Sequence, residues 1–240
     1  MIELLSNVIT AHGGLKRWGR FCKLEATVVY DGALRGMRGL TQELQAREVA
    51  VWLRQQRSTL VPFGDPDWYC DVSSDRVVIF SSNGVVVADR DHPRGSFPTH
   101  DKITPWDPLH LAYFEGYALW TYLNTPFLLS IPGVEVSEIQ PWTERGERWR
   151  VLRARFPESV ATHSPVQEFF FGEDLLLRRH DYRIDVAGGL DVVQLAFDYI
   201  EVAGVRIPTR RRAYTRGGDG GPRLAPLMMS IDISDIRLCA

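Results

Sequence analysis

The residues best suited to chemistry lie in a polar, proline-rich stretch between residues 90 and 110. It holds His92, His100 and His110 together with Arg94 and several aspartates. Histidine titrates near neutral pH and can move protons, while arginine can hold a carboxylate or a developing oxyanion. A connection of this length inside a compact domain is uncommon and is often functional. The alternative is a solvated crossover in which Asp107 only caps the next helix.

Two further candidates lie in the second half of the chain. His163 follows the end of a predicted strand, and His180 and Tyr182 lie on one face of another. Successive strand residues point to opposite faces, so Arg179 and Asp181 lie on the other face. His180 and Tyr182 could orient the polar end of a ligand, or each could be a core residue with one satisfied hydrogen bond.

The chain lacks the motifs that identify common cofactor and metal enzymes. It has no P-loop, glycine-rich dinucleotide motif, nucleophile elbow, His-Glu-x-x-His pattern or paired Cys-x-x-Cys. Its three cysteines are far apart and odd in number, which argues against a disulfide framework or a zinc site. We therefore predict no cofactor and no metal.

The charge and hydropathy of the chain limit which partners and which cellular location are expected. The net charge is −2 and the pI is about 6.3, so no global charge draws the chain to nucleic acid. No apolar run approaches the roughly 20 residues of a membrane span. The first residues carry Glu3 where a signal peptide would be basic, and Asn7, Thr10 and His12 interrupt any apolar segment. We predict a cytoplasmic protein, and the sequence does not indicate its oligomeric state.

One helix is predicted in the middle of the chain, over residues 107–124. Asp107 is a suitable N-cap, Pro108 fits the first helical position, and Pro126 ends the helix. The helix is apolar and aromatic on every face, so it must be buried. Gly116 in its interior predicts a close contact with the sheet or with a ligand.

The segments on both sides of this helix alternate as β-strands do. Residues 2–12 form a short amphipathic helix by their spacing, and turn dipeptides such as Asp31-Gly32 separate the strands that follow. The pattern predicts one mainly β domain over residues 1–240, with a large curved antiparallel sheet of about ten or more strands around the central helix. Predicted strands cover residues 23–30, 34–45, 47–57, 76–80, 84–90, 134–139, 148–156, 166–171, 175–186, 191–202, 206–214 and 227–237.

Several short segments also carry a family resemblance: Ala11–Trp18, Pro93–Phe97, Thr104–Asp107, Phe114–Phe127 and Pro208–Arg211. With them the chain resembles uncharacterised bacterial proteins of the LolA/LolB-like superfamily of lipoprotein carriers and receptors. The resemblance implies an unclosed β half-barrel whose concave apolar face is covered by helices and holds acyl chains. Carriers of that family have export signals, and none is evident here, so the resemblance implies an apolar ligand rather than lipoprotein transport. It supplies no catalytic residues.

Two main functions remain open. The first is a cytoplasmic binding protein for a small apolar or amphipathic molecule, such as an acyl chain, polyketide or terpenoid, held in the concave sheet. The second is a cofactor-independent enzyme acting on such a molecule, with His100 or His163 as general base and with Arg94 or a tyrosine holding a developing oxyanion. A weaker third is a protein-interaction domain that uses an exposed sheet edge. The predicted ligand-binding residues are Tyr113, Tyr117, Trp120, Phe127, His180 and Tyr182.

Overall fold

The computed structural model describes residues 1–41, 44–97, 104–144 and 146–240. Its helices are α1 (Glu3–Ala11), α2 (Leu15–Trp18), α3 (Ala33–Met37) and α4 (Pro108–Asn124), and short 3₁₀ turns cover Pro93–Ser96, Phe127–Ser130 and Asp185–Ala187. The strands are β1 (Lys23–Asp31), β2 (Arg47–Trp52), β3 (Arg57–Val61), β4 (Trp68–Ser73), β5 (Arg76–Ser81), β6 (Val86–Asp91), β7 (Glu135–Glu144), β8 (Glu147–Arg155), β9 (Val166–Phe171), β10 (Leu177–Ile184), β11 (Leu190–Val202), β12 (Val205–Arg216), β13 (Pro222–Arg223) and β14 (Met229–Cys239).

The fourteen strands within these ranges belong to one antiparallel sheet. Thirteen of them run in the order β6-β5-β4-β3-β2-β1-β14-β12-β11-β10-β9-β8-β7. The short β13 pairs with β12 outside this path. The last strand, β14, inserts between β1 and β12 and so joins the two halves of the chain. The end strands β6 and β7 do not pair with each other in the described part of the chain, which leaves the sheet unclosed.

Helix α4 starts where the sequence predicts, and its first turn is anchored twice. Asp107 accepts a hydrogen bond from the His110 backbone N–H at 2.8 Å, and His110 Nδ1 accepts one from the Asp107 N–H at 3.2 Å. This reciprocal pair satisfies two backbone donors that a helix start leaves free. Arg90 of the end strand β6 also donates to Asp107, at 2.6 Å. The helix therefore begins at a fixed point on the sheet.

The sheet wraps around α4, as predicted. One side of the helix meets β3 and β4 so closely that a Cβ on Gly116 would lie 2.7 Å from Val72 and 2.8 Å from the hydroxyl of Ser58. The hydroxyl of Tyr122, nearer the end of the helix, lies 2.8 Å from that of Tyr182 on β10. A helix that touches strands so far apart in the sheet order requires strong curvature. Trp120 is 4% exposed, as the prediction of a buried helix requires.

The two N-terminal helices also contribute side chains to the core. Leu4, Leu5, Val8 and Ile9 of α1 are buried, at the spacing that predicted the helix. Trp18 of α2 stacks on another core ring, with 4.2 Å between the ring centres.

Two of the strand predictions are wrong. Residues 34–45 do not form a strand in their described part: the chain turns at Gly32 (φ 122°) and enters α3. A side chain at Gly32 would clash with the backbone of Met228, and the N–H groups of Ala33 and Leu34 donate to carbonyls of residues 227 and 228. The predicted strand 47–57 ends at Trp52 as β2, and after a bend β3 begins only at Arg57, so most of β3 was not predicted. The pattern also missed β4.

Candidate functional site

A cluster of tyrosine hydroxyls around His163 lies inside the curve of the sheet. The Nδ1 atom of His163 is 3.2 Å from the hydroxyl of Tyr117, and its Nε2 atom is 2.6 Å from that of Tyr122. The ring stacks on Tyr182 with 4.2 Å between centres. All four side chains are buried. The fold therefore brings together four aromatic residues: Tyr117 and Tyr122 from α4, His163 from the segment before β9, and Tyr182 from β10.

The cluster continues across the sheet to Arg211. Tyr182 hydrogen-bonds to the hydroxyl of Tyr122 and accepts a bond from the Gln194 amide at 3.1 Å. Arg211 on β12 donates to Gln194 Oε1 and to the carbonyl of Tyr122, both at 2.9 Å. Adjacent strands β10, β11 and β12 position these side chains on one inward face. We call His163, Tyr117, Tyr122, Tyr182, Gln194 and Arg211 the buried network.

His180 lies beside the buried network with its own partners. Its Nε2 atom is 2.7 Å from Gln167 Oε1, and its ring stacks on Phe169 with 4.2 Å between centres. Its Nδ1 atom has no hydrogen-bond partner among the described residues. His180 is therefore held mainly by packing on one side and by one amide on the other.

Burial keeps the histidines and tyrosines of this region uncharged at neutral pH. It lowers the pKa of His163 to about 3, with a smaller contribution from the positive charge of Arg94. It also lowers the pKa of His180 well below its usual range and raises that of the Tyr122 hydroxyl to about 12. Both ring nitrogens of His163 face protein hydroxyls, so a general-base role for this residue requires the network to open first.

A cleft of about 490 Å³ opens beside the buried network. Thr162 lines it and directly precedes His163, and Tyr113 of α4, which is buried, also lines it. Most of its apolar lining comes from the connection between β8 and β9. The lining residues are Ser74, Asp75, His92, Arg94, Gly95, Tyr113, Phe156, Pro157, Glu158, Val160, Ala161, Thr162 and Pro165.

Four ionisable side chains that line the cleft, Asp75, His92, Arg94 and Glu158, are exposed or partly exposed, so we place them at its rim. Arg94, with a side chain 38% exposed, donates to the Thr162 carbonyl at 2.7 Å and lies 3.6 Å from a carboxylate oxygen of Asp185. His92 has a left-handed backbone conformation with φ 48° and ψ 51°, and its N–H donates to the Asp75 carbonyl at 2.7 Å. Such a conformation is uncommon outside glycine and is often found at functional sites. The rim therefore combines a fixed backbone with an accessible positive charge.

The predicted site residues fall into three groups. Arg94 and Tyr113 line the cleft, whereas Tyr117, His163, Tyr182 and His180 lie in or against the buried network. Trp120 and Phe127 lie elsewhere in the core: the Trp120 indole N–H donates to carbonyls of residues 52 and 55, and Phe127 stacks on Trp18. His100 lies outside the described residues.

Sequence reasoning missed Gln167, Gln194 and Arg211. Each occupies an inward position on a strand whose other inward residues are mostly apolar. A polar residue that interrupts an apolar alternation is the signal that could have indicated them. Thr162 and Asp75 of the cleft carry no such signal because they lie outside strands.

Two structural observations bear on other classes of site. Within the described ranges, no helix is both long and apolar enough to cross a membrane. Those ranges also hold no group of three or more His, Cys, Asp or Glu side chains placed to bind a metal ion.

Comparison with known proteins gives the fold. No known protein family matches the sequence as a profile, and no curated protein matches it. Three solved structures are similar over nearly the whole chain. A LolA superfamily protein from Nitrosomonas europaea has a TM-score of 0.53 and 8% identity, covering 98% of this chain and 92% of its own. A DUF1329 family protein from Desulfovibrio piger has a TM-score of 0.53 and 11% identity, covering 98% and 91%.

The third structure is a candidate outer membrane lipoprotein-sorting protein domain from Vibrio parahaemolyticus. It has a TM-score of 0.52 and 9% identity, covering 93% of this chain and 89% of its own. At these identities the similarity shows the fold alone. The predicted architecture, an unclosed LolA-like half-barrel around a central helix, is confirmed.

Proposed function

We propose that this LolA-like half-barrel binds a small apolar or amphipathic molecule in the cleft beside Tyr113. The observation that carries the proposal is the composition of that cleft: apolar residues of the connection between β8 and β9 lie beside polar side chains, several of which are exposed. Small-molecule sites generally have this composition, and their volumes are about 300–1,000 Å³. The cleft, at about 490 Å³, has a suitable size.

The fold supports a ligand with an apolar part. One of the structures with this fold is described as a candidate lipoprotein-sorting domain. Acyl chains, polyketides and terpenoids are the ligand classes that we propose. Phe156, Pro157 and Val160 would contact the apolar part.

A cleft-filling variant tests the proposal. Gly95 lines the cleft, and a Cβ placed on it meets no atom within 4 Å, so Gly95→Trp adds a large side chain without a backbone clash. We expect an apolar fluorescent probe to bind the wild type with a Kd on the order of micromolar and Gly95→Trp to weaken it at least about tenfold. Gly218→Trp is the matched control, because Gly218 is equally open and lies outside the cleft.

Two results would contradict the proposal. One is a wild type that binds neither the probe nor a fatty acid of ten to sixteen carbons. The other is equal probe binding by the wild type, Gly95→Trp and Gly218→Trp, which would place the probe elsewhere.

The cytoplasmic location predicted from the sequence is part of the same proposal. A protein that binds apolar metabolites where they are made has no need to cross a membrane. Fractionation of cells that express the full-length natural gene would check it, and recovery with the periplasmic fraction would contradict it.

A further inference from the structure

Three arginine side chains rank among the most completely buried residues of the described chain: Arg47, Arg179 and Arg211. Arg47 pairs with the carboxylate of Glu115 at 2.8 Å, and Arg179 pairs with that of Asp181 at 2.6 Å. Arg211 differs from both. Among the described residues, no carboxylate lies within ion-pair distance of its guanidinium group.

The partners of Arg211 are all neutral. It donates to Gln194 Oε1 and to the carbonyl of Tyr122, and it lies over the Tyr122 ring at 4.9 Å from the ring centre. Its Nε–H has no acceptor in the described part of the protein. A buried charge without a counter-charge is costly, and natural proteins usually pair such charges or use them to bind a ligand.

A second buried atom without a partner lies close to Arg211. His180 is directly opposite Gln194 in the register of β10 and β11, and Gln194 is the residue that Arg211 contacts. The positive charge of Arg211 contributes to the low pKa of His180, which agrees with this proximity. The Nδ1 atom of His180 is the unpartnered one. Both unsatisfied groups thus belong to one small region on the inner face of the sheet.

The buried network connects this region to the cleft. Thr162 lines the cleft, His163 follows it in sequence, and Tyr122 bonds to His163 on one side and to Tyr182 on the other. Gln194 then joins Tyr182 to Arg211.

We propose that Arg211 is the receptor for the carboxylate of an amphipathic ligand whose apolar part occupies the cleft. The carboxylate supplies the missing counter-charge and the acceptor for Nε–H, while Tyr122 and Tyr182 turn their hydroxyls towards it. This inference rests on the proposed function and specifies its ligand as an anionic amphiphile.

The test compares two ligands that differ only in the head group. Dodecanoate and dodecanol compete with an apolar fluorescent probe at pH 8, where the acid is ionised. We expect the wild type to prefer dodecanoate. In Arg211→Met, which keeps an unbranched side chain but removes the charge and the hydrogen-bond donors, we expect dodecanoate affinity to fall roughly ten- to hundredfold and dodecanol affinity to change less than about threefold. Arg210→Met, a change on the exposed face of the same strand, is the control and should retain the preference.

Arg94→Met distinguishes the buried arginine from the one at the rim, and Arg94 is exposed enough for this variant to fold. If Arg211 receives the carboxylate, the preference for dodecanoate survives in Arg94→Met. Loss of the preference in Arg94→Met, or its persistence in a folded Arg211→Met, would overturn the inference while leaving the proposed function intact. If the wild type binds neither ligand, the proposed function fails, and this inference fails with it.

Discussion

Gly116 shows how one absent side chain sets the distance between α4 and the sheet. The sequence predicted a close contact at this position, and the structure places Val72 and Ser58 against it. Alanine has a higher helix propensity than glycine by roughly 1 kcal/mol, so an exposed helix would gain stability from the change. At Gly116 the added methyl group would instead have to displace two side chains of the sheet.

We therefore predict that Gly116→Ala destabilises the protein by about 1–3 kcal/mol, the cost of overpacking a core. Urea unfolding measures this free energy. Gly36→Ala in α3 is the control, because a Cβ there meets no atom within 4 Å, and it should be neutral or slightly stabilising. A Gly116→Ala variant as stable as the wild type would show that the helix can move away from β3 and β4.

The buried histidines predict how stability depends on pH. Burial lowers the pKa of His163 to about 3 and of His12 to about 4, whereas an unfolded histidine titrates near 6.5. Between these values the unfolded chain binds more protons than the folded one, so stability falls as the pH decreases below about 6.5. Each such histidine contributes a slope of up to about 1.4 kcal/mol per pH unit. Asp181 and Asp185 have raised pKa values and oppose this slope at lower pH.

A variant isolates the contribution of His163. Unfolding free energies of the wild type and His163→Gln, measured at several pH values from 7 to 5, should differ in slope, with the variant less sensitive to acid. The aspartates affect both proteins equally and cancel in the comparison. Identical slopes would mean that His163 is not buried in its neutral form.

At the scale of single residues, the sequence identified several residues of the site but not the hydrogen bonds between them. The aromatic residues of α4, His163 and Tyr182 were identified, but their mutual hydrogen bonds depend on strands β10 and β12 meeting the helix. Arg211 stood in a run of three arginines that alternation divides between two faces. Only the structure shows that the middle one is enclosed and lacks a carboxylate partner among the described residues.

At the scale of elements, α4 was predictable because its signals are local. An N-cap, a proline at the first position and a proline after the end are all read from neighbouring residues. Helix α3 was not predictable because its signals are distant. It depends on backbone bonds from Ala33 and Leu34 to carbonyls almost two hundred residues away.

The burial of α4 has a direct consequence for stability. Trp120 is enclosed, and its N–H donates to two carbonyls, so we predict that Trp120→Ala costs roughly 3–5 kcal/mol. Asp107→Ala removes a helix cap and a partly exposed ion pair with Arg90, and it should cost about 1–2 kcal/mol. Chemical denaturation measures both. A near-neutral Trp120→Ala, or a larger loss in Asp107→Ala than in Trp120→Ala, would contradict the assigned packing.

At the scale of the whole molecule, the first and last strands hold the sheet together. β1 pairs with β14 over most of its length, so the N-terminal and C-terminal halves share one continuous set of hydrogen bonds. The strand pattern of the sequence predicted a single domain over residues 1–240. It could not predict the strand order, because alternation reports which face is buried and not which strand is the neighbour.

This continuity predicts one cooperative unfolding transition. Near-UV and far-UV circular dichroism should report the same midpoint on heating, and the calorimetric and van't Hoff enthalpies should agree. Two separate transitions would show that the halves on either side of α4 unfold independently and that the chain has two domains.

The central claim is that the cleft beside Tyr113 is the ligand site, and native mass spectrometry with dodecanoate tests it most directly. We predict that the wild type and Gly218→Trp each form a complex with one dodecanoate per chain and that Gly95→Trp forms none at the same concentration. Complexes of equal abundance in all three proteins, or none in the wild type, would contradict the claim.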